Sequence, residues 1–265
     1  MRTLVSIPDA IRIVGRRRAR VLDISAASEL VRGGFPNAVQ CPMTDLKGAD
    51  GGPIPPPVFA QLAAHLGVYS ATPVIICSNS VVLAARFWYI SQLYGKAGVQ
   101  VLDGTAKELL AARAAGVHEE GGLIQHDDHE EEENMGVRFV PVTAHKLLAN
   151  AAEVLQAISA GDPQIIDART PGEFSAAHIP SALNLPHAAL LTLDGKFKDE
   201  RSLHSAIDAA GVRSDRASIV YCGVGLRASA VVLGLNLISP NMPLAANYDG
   251  SMNDWLRRGH AITQN

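Results

Sequence analysis

The chain reads as an α/β protein built from two tandem copies of one unit, each a mainly parallel sheet flanked by helices on both faces. Three observations predict this. Short β-branched runs alternate with longer amphipathic stretches, the pattern of strands buried under crossover helices. Segments of the first half recur in the second at one constant offset: Val21-Leu22-Asp23 matches Ile165-Ile166-Asp167, and Pro36-Asn37-Ala38 matches Pro180-Ser181-Ala182. A strongly acidic stretch separates the copies, from His118-Glu119-Glu120 through His126-Asp127-Asp128-His129 and four consecutive glutamates to Glu133. With 265 residues and 48% hydrophobic content, two sizeable cores are within reach.

In chain order, strands are predicted near Leu4-Val5 and Val21-Leu22-Asp23, where β-branched and aliphatic residues cluster between turn-forming neighbours. A helix follows over 57–66 after a run of prolines, which suit a first helical turn. Val74-Ile75-Ile76 is a strand, 83–93 a helix and Val99-Gln100-Val101-Leu102 the next strand. The second copy repeats the plan. Val74-Ile75-Ile76-Cys77 pairs with Ile219-Val220-Tyr221-Cys222 after a small shift, and Leu102-Asp103-Gly104 with Tyr248-Asp249-Gly250 after another. The expected division is 1–117 for an N-terminal unit, 118–138 for an acidic linker and 139–265 for the C-terminal unit. A run so acidic has no face to bury, so it is read as solvated; the residue types of His126, His129 and their neighbours also suit a metal, the weaker reading.

The most chemically informative segment is Cys222-Gly223-Val224-Gly225-Leu226-Arg227, placed between the run Ser218-Ile219-Val220-Tyr221 and the helix-like Ala228-Ser229-Ala230-Val231-Val232-Leu233. Two glycines let a loop turn tightly so that successive N–H groups point inward, and the following helix adds its positive end. Such a loop is an anion cradle. A sulfur at its rim is favoured as thiolate, so Cys222 is the expected nucleophile.

Strand, Cys-Gly-x-Gly-x-Arg loop and helix resemble the active-site loop of the rhodanese family of sulfurtransferases. Upstream, Ile165-Ile166-Asp167-Ala168-Arg169, Glu173-Phe174, His178-Ile179-Pro180-Ser181-Ala182 and Asn184-Leu185-Pro186 resemble the family's first strand and the approach to its second. Downstream, Tyr248-Asp249-Gly250-Ser251-Met252-Asn253-Asp254-Trp255 resembles its closing signature. The resemblance implies two tandem rhodanese-like domains, the N-terminal one inactive. It implies transfer of a sulfane sulfur from thiosulfate or 3-mercaptopyruvate to cyanide, a thiol or a thioredoxin-like protein, through a persulfide on Cys222, with no cofactor. Gly223, Val224, Gly225, Leu226 and Arg227 would form the cradle, with Arg227 and Arg169 receiving the donor's sulfonate or carboxylate.

The two donor branches leave conflicting marks. Cys-Gly-x-Gly resembles the mercaptopyruvate-using branch, but Thr170-Pro171-Gly172 runs almost directly to His178, without that branch's insertion and second arginine. A basic residue within the loop is commoner among thiosulfate users. Arg227 has another reading, a bridge to a nearby carboxylate. His178 is read as bonded to backbone, Asp167 and Asp249 as loop-fixing carboxylates, and Tyr248 and Trp255 as packing.

In the first copy the loop reads Cys77-Ser78-Asn79-Ser80-Val81-Val82, without the glycines or the arginine. Cys77 is therefore expected to be a poor nucleophile, either a small buried side chain or a secondary sulfur carrier. Two rival functions stay open: a catalytically silent binding or regulatory module, and a related phosphatase, whose loop would carry arginine six positions after cysteine, where this chain has Ala228.

Composition narrows the setting. A net charge of −3 gives no general reason to bind nucleic acid, although Arg16-Arg17-Arg18 and Arg20 form a short basic cluster. No run approaches the roughly 18 apolar residues of a membrane helix, and Met1 to Arg20 does not read as a leader peptide. Three scattered cysteines suit a reducing compartment, so the cytoplasm is expected.

Overall fold

A computed structural model describes residues 3–17, 19–25, 27–41, 46–48, 52–116, 137–243 and 245–264. The acidic stretch with His126 and His129, and Arg18 of the basic cluster, lie outside the described residues.

The chain divides into two compact units, Met1–Leu46 with Ile54–Thr143, and Lys47–Pro53 with Ala144–Asn265. The first comprises β1 (Leu4–Val5), α1 (Ile7–Arg17), β2 (Arg20–Asp23), α2 (Glu29–Arg32), β3 (Ala38–Gln40), α3 (Pro56–His65), β4 (Val74–Cys77), α4 (Val81–Leu93), β5 (Val99–Leu102) and α5 (Ala106–Ala114). The second comprises β6 (Leu148–Ala149), α6 (Ala151–Ala160), β7 (Gln164–Asp167), α7 (Pro171–Ala176), β8 (Leu183–Asn184), α8 (Glu200–Ala209), β9 (Ser218–Tyr221), α9 (Leu226–Ile238), β10 (Ala246–Tyr248) and α10 (Ser251–Arg257).

Each unit holds a five-stranded parallel sheet, ordered β1-β5-β4-β2-β3 in the first and β6-β10-β9-β7-β8 in the second. The two orders are the same plan written twice, as the internal repeat predicts. Strands β4, β5, β7 and β9 are buried at every residue, which is why they appear as unbroken apolar runs rather than alternations. The edge strands are shorter, two or three residues each, and so present little unpaired backbone. Two elements beyond those placed from sequence complete the first core: Ala10 and Val14 of α1, and Ala106 and Leu109 of α5, pack with Val21, Ile75 and Cys77.

Thr105, Asn150 and Thr170 each close a capping box with the glutamate three residues on, Glu108, Glu153 and Glu173, so helices α5, α6 and α7 begin where the side chains can satisfy the first N–H groups. The segment after the acidic stretch belongs to the first unit as far as Thr143, beyond the Phe139 boundary expected from sequence. Its backbone is tied there: Ser70 donates to the Val137 carbonyl at 3.0 Å and Val142 to that of Tyr94 at 3.1 Å, while Phe139 meets Phe59 edge to face at 5.9 Å.

In the second sheet, β7 and β9 are neighbours whose following connections depart in opposite directions, to β8 on one side and β10 on the other. Such a reversal opens a crevice at the carboxyl ends of the two strands. The loop after β9 starts with Cys222; the turn after β7 leads into α7. Among the described residues, no helix is long and apolar enough to cross a membrane.

Candidate active site

The loop from Cys222 to Gly225 is anchored along its length. The Cys222 N–H donates to Ser251 Oγ at 3.1 Å, and Ser251 in turn donates to the Tyr248 carbonyl at 2.8 Å. The carbonyls of Cys222 and Gly223 accept from the N–H groups of Met252 and Asn253, at 3.1 and 3.3 Å. At the other end, the Gly225 carbonyl accepts from Asn247 Nδ2 at 2.9 Å and from Ser229 Oγ at 3.2 Å. The closing signature read in sequence is thus the clamp that shapes the loop.

The two loop glycines have different reasons to be glycine. Gly225 sits at φ +81°, in the left-handed region, and a Cβ there would lie 2.8 Å from the Asp249 backbone carbonyl oxygen. Gly223 has no positive φ, and an added Cβ would meet only Arg227 Nη2 at an ordinary 3.5 Å. Only one of the pair is needed for the turn.

Among the described residues, the N–H groups of Gly223, Val224, Gly225 and Leu226 have no protein acceptor, and none is bonded to the Cys222 sulfur. They precede or open the 13-residue helix α9, whose positive end adds to theirs. The sulfur's place differs from the expected rim. Cys222 is only 1% exposed and Gly223 and Val224 are half-buried, so the residue is covered.

Arg227 lies beside the loop. Its two terminal nitrogens bind both carboxylate oxygens of Glu173, each at 2.7 Å, joining α9 to α7 across the crevice. This fork holds the Glu173 carboxyl at about 2, well below the usual range, and raises Arg227, with further contributions from the neighbouring Cys222. The carboxylate bridge read as the second possibility for Arg227 is therefore the one adopted. His187 lies beside this pair, its Nδ1 3.3 Å from the Ala168 carbonyl oxygen. Burial pushes its pKa down, and the Arg227 charge pushes it further.

Arg169, expected to receive a donor anion, instead faces inward. It is 6% exposed, its guanidinium forks onto Asp167 at 2.6 to 3.1 Å, its Nη2 reaches the Ala177 carbonyl at 2.6 Å, and it lies over the Tyr221 ring at 5.7 Å. Nε and Nη2 thus bond within the protein. The reason is its place immediately after β7: the chain turns at Ala168, and Asp167 Oδ1 accepts the Arg169 N–H at 2.9 Å, which draws the side chain back over its own strand.

The bland readings hold elsewhere. His178 points Nδ1 at the Phe174 carbonyl at 2.9 Å and stacks on the Phe174 ring at 3.8 Å. Trp255 is fully buried and donates to the Ala261 carbonyl at 2.8 Å; Tyr248 donates to Asp254 at 2.7 Å. Sequence reading did not single out Glu173, His187 or Ser251 as site residues. Glu173 looks like a capping residue and His187 follows an unremarkable turn; only the meeting of two separate strand ends gives them a role.

Strand register corrects the comparison of the two copies. Asp23 pairs with Cys77 as Asp167 pairs with Tyr221, and the N–H groups of Ile24 and Ala168 donate to the carbonyls of Cys77 and Tyr221. Cys77 therefore corresponds to Tyr221, and Ser78 to Cys222. Cys77 is an interior strand residue of the first core, with burial and then the Asp23 charge raising its thiol pKa far above the ordinary range. Both effects disfavour the thiolate, in keeping with a small buried side chain. Three residues, Ser78 to Ser80, join β4 to α4, against the four of Cys222 to Gly225.

Comparison with known proteins gives a match to the model of the rhodanese-like domain over residues 150–258, inside the second unit. A 3-mercaptopyruvate sulfurtransferase of Escherichia coli is 29% identical over 252 residues, covering 88% of this chain and 84% of that protein. A rat protein of the same name is 28% identical over 224 residues, covering 78% and 71%. The crystal structure of an Escherichia coli 3-mercaptopyruvate sulfotransferase superposes with a TM-score of 0.75 at 24% identity, over 95% of this chain and 99% of that one.

Proposed function

We propose that this chain, which belongs to the rhodanese family of sulfurtransferases as a tandem of two such units, moves one sulfane sulfur from a small anionic donor to a thiophilic acceptor through a persulfide on Cys222. The observation that carries the reading is the loop itself: a buried cysteine, four following N–H groups without a protein acceptor, and Arg227 beside it.

The Cys222 thiolate attacks the outer sulfur of thiosulfate. A sulfur–sulfur bond forms to Cys222, the bond to the sulfonate breaks, and its electron pair leaves with sulfite. With 3-mercaptopyruvate the carbon–sulfur bond breaks instead; its electron pair stays on carbon as the enolate, which takes up the proton the thiol group gives up and becomes pyruvate. Either way the enzyme is left as Cys222–S–S⁻. An acceptor, cyanide or a thiol such as that of a thioredoxin-like protein, attacks the terminal sulfur and restores the thiolate, a ping-pong cycle. The loop N–H groups would stabilise the anionic sulfur in both halves, as an oxyanion hole does for oxygen. Because Cys222 is covered, only a donor with a slender terminal sulfur reaches it. Arg227 receives the donor's anionic end, and the residues of the chain suffice without a cofactor.

The first unit is silent in this scheme, since Ser78 stands where the nucleophile would be. None of Cys41, Cys77 and Cys222 is in a disulfide, which suits a reducing cytoplasm.

Intact mass tests the reading. After thiosulfate or 3-mercaptopyruvate, the protein gains one sulfur that cyanide removes, and Cys222→Ser gains none. A gain that persists in Cys222→Ser moves the chemistry elsewhere; hydrolysis of an aryl phosphate without sulfur uptake would replace the transferase by a phosphatase.

A further inference from the structure

The Arg227–Glu173 pair beside the loop is electrically neutral. Arg227 supplies one positive charge and Glu173 one negative, locked together by two 2.7 Å hydrogen bonds. Behind them Arg169 and Asp167 neutralise one another. His187 is displaced toward its neutral form. Removing the Glu173 charge alone would leave the Arg227 guanidinium without its counter-charge.

Thr170 already receives its cap from Glu173: Oε2 accepts from the Thr170 N–H at 3.1 Å and from its hydroxyl at 2.8 Å. Glutamine serves that cap equally well. Capping therefore does not require the negative charge, yet the charge lies directly on the cation that faces the donor.

We propose that Glu173 sets the charge of the donor this loop accepts, disfavouring a dianionic sulfur donor such as thiosulfate relative to a monoanionic one such as 3-mercaptopyruvate. The inference rests on the sulfurtransferase reading of Cys222. Repulsion between a fixed carboxylate and a bound donor scales with the donor's charge, so a dianion suffers about twice the penalty of a monoanion at the same place. Attraction to Arg227 scales in the same way, and Glu173 cancels most of it. Glu173 acts through Arg227 and through the field, so it is a selectivity residue rather than a catalytic one.

The test is the ratio of kcat/KM for thiosulfate to that for 3-mercaptopyruvate, measured on the full chain with cyanide as acceptor. Glu173→Gln raises the ratio about tenfold, mainly through a lower KM for thiosulfate. Glu173→Asp, which keeps the charge, stays within about twofold of the unaltered protein. Arg227→Gln, which leaves Glu173 unopposed, moves the ratio the other way, and gives a second reading should Glu173→Gln fail to fold. Equal losses on both donors in Glu173→Gln, or an unchanged ratio in Arg227→Gln, overturn the proposal, because a purely structural fork would not distinguish donors by charge. Sulfur uptake by the unaltered protein separates the two levels: uptake with unchanged ratios overturns this inference alone, and no uptake from either donor overturns the sulfurtransferase reading as well.

Discussion

Replacing Gly225 by alanine puts the loop geometry to its hardest test. At φ +81° a residue with a Cβ is strained by about 1–2 kcal/mol. The new methyl would also lie 2.8 Å from both Asp249 Cγ and the Asp249 backbone oxygen, and the backbone oxygen cannot swing aside as a side-chain end could. Overpacking of this kind adds about 1–3 kcal/mol, so the total is about 2–5 kcal/mol, a large part of what holds a small domain folded. Gly223→Ala is the matched control, because the same methyl there meets only ordinary contacts. Urea unfolding followed by fluorescence of Trp255 reads the stability, and cyanide-removable sulfur uptake reads the site. Gly225→Ala should shift the midpoint down and lose uptake together, while Gly223→Ala should unfold within about 1 kcal/mol of the unaltered protein. If the two variants proved equally stable, the claim that the loop turns at Gly225 against Asp249 would be wrong.

Acid should weaken the fold through Glu173 and His187 in successive windows. His187 has a lowered folded pKa, so its contribution is lost as pH falls below its ordinary value near 6.5, where the unfolded chain takes up a proton that the fold resists. Glu173, also lowered, stabilises fully above about 4.5 and loses its contribution as pH falls toward 2. Thermal unfolding across pH 2 to 8 checks both, and Glu173→Gln should flatten only the lower window. Asp167→Asn leaves the buried Arg169 guanidinium without its counter-charge and should cost about 3–5 kcal/mol, seen as a lowered urea midpoint. Ser251→Ala removes the acceptor of the Cys222 N–H and the bond to Tyr248, and should cost about 1–3 kcal/mol together with slower sulfur uptake; unchanged uptake kinetics would show that the clamp does not shape the loop.

Much of this was open to inspection in the residues themselves. The parallel strands are legible because both faces are buried, so Val74-Ile75-Ile76 and Ser218-Ile219-Val220-Tyr221 show no alternation to confuse them with a half-exposed strand. The nucleophile is legible because a cysteine followed by glycines between a strand and a helix is a local pattern. Helix α1 was passed over although Ile7, Ala10, Ile11 and Val14 fall at helical spacing and form one apolar face in the sequence itself.

What sequence alone determined is local and periodic: the duplicated α/β plan and the placing of Cys222 between a buried strand and a helix. Tertiary structure decided everything that depends on which strand ends meet. It buried Cys222, folded Arg169 back onto Asp167, aligned Cys77 with Tyr221 instead of Cys222, and brought Glu173 onto Arg227 from a different strand's turn. The physical reason is range: backbone propensity and burial period act over a few residues, whereas charge pairing and register depend on distances that exist only after the sheet has assembled.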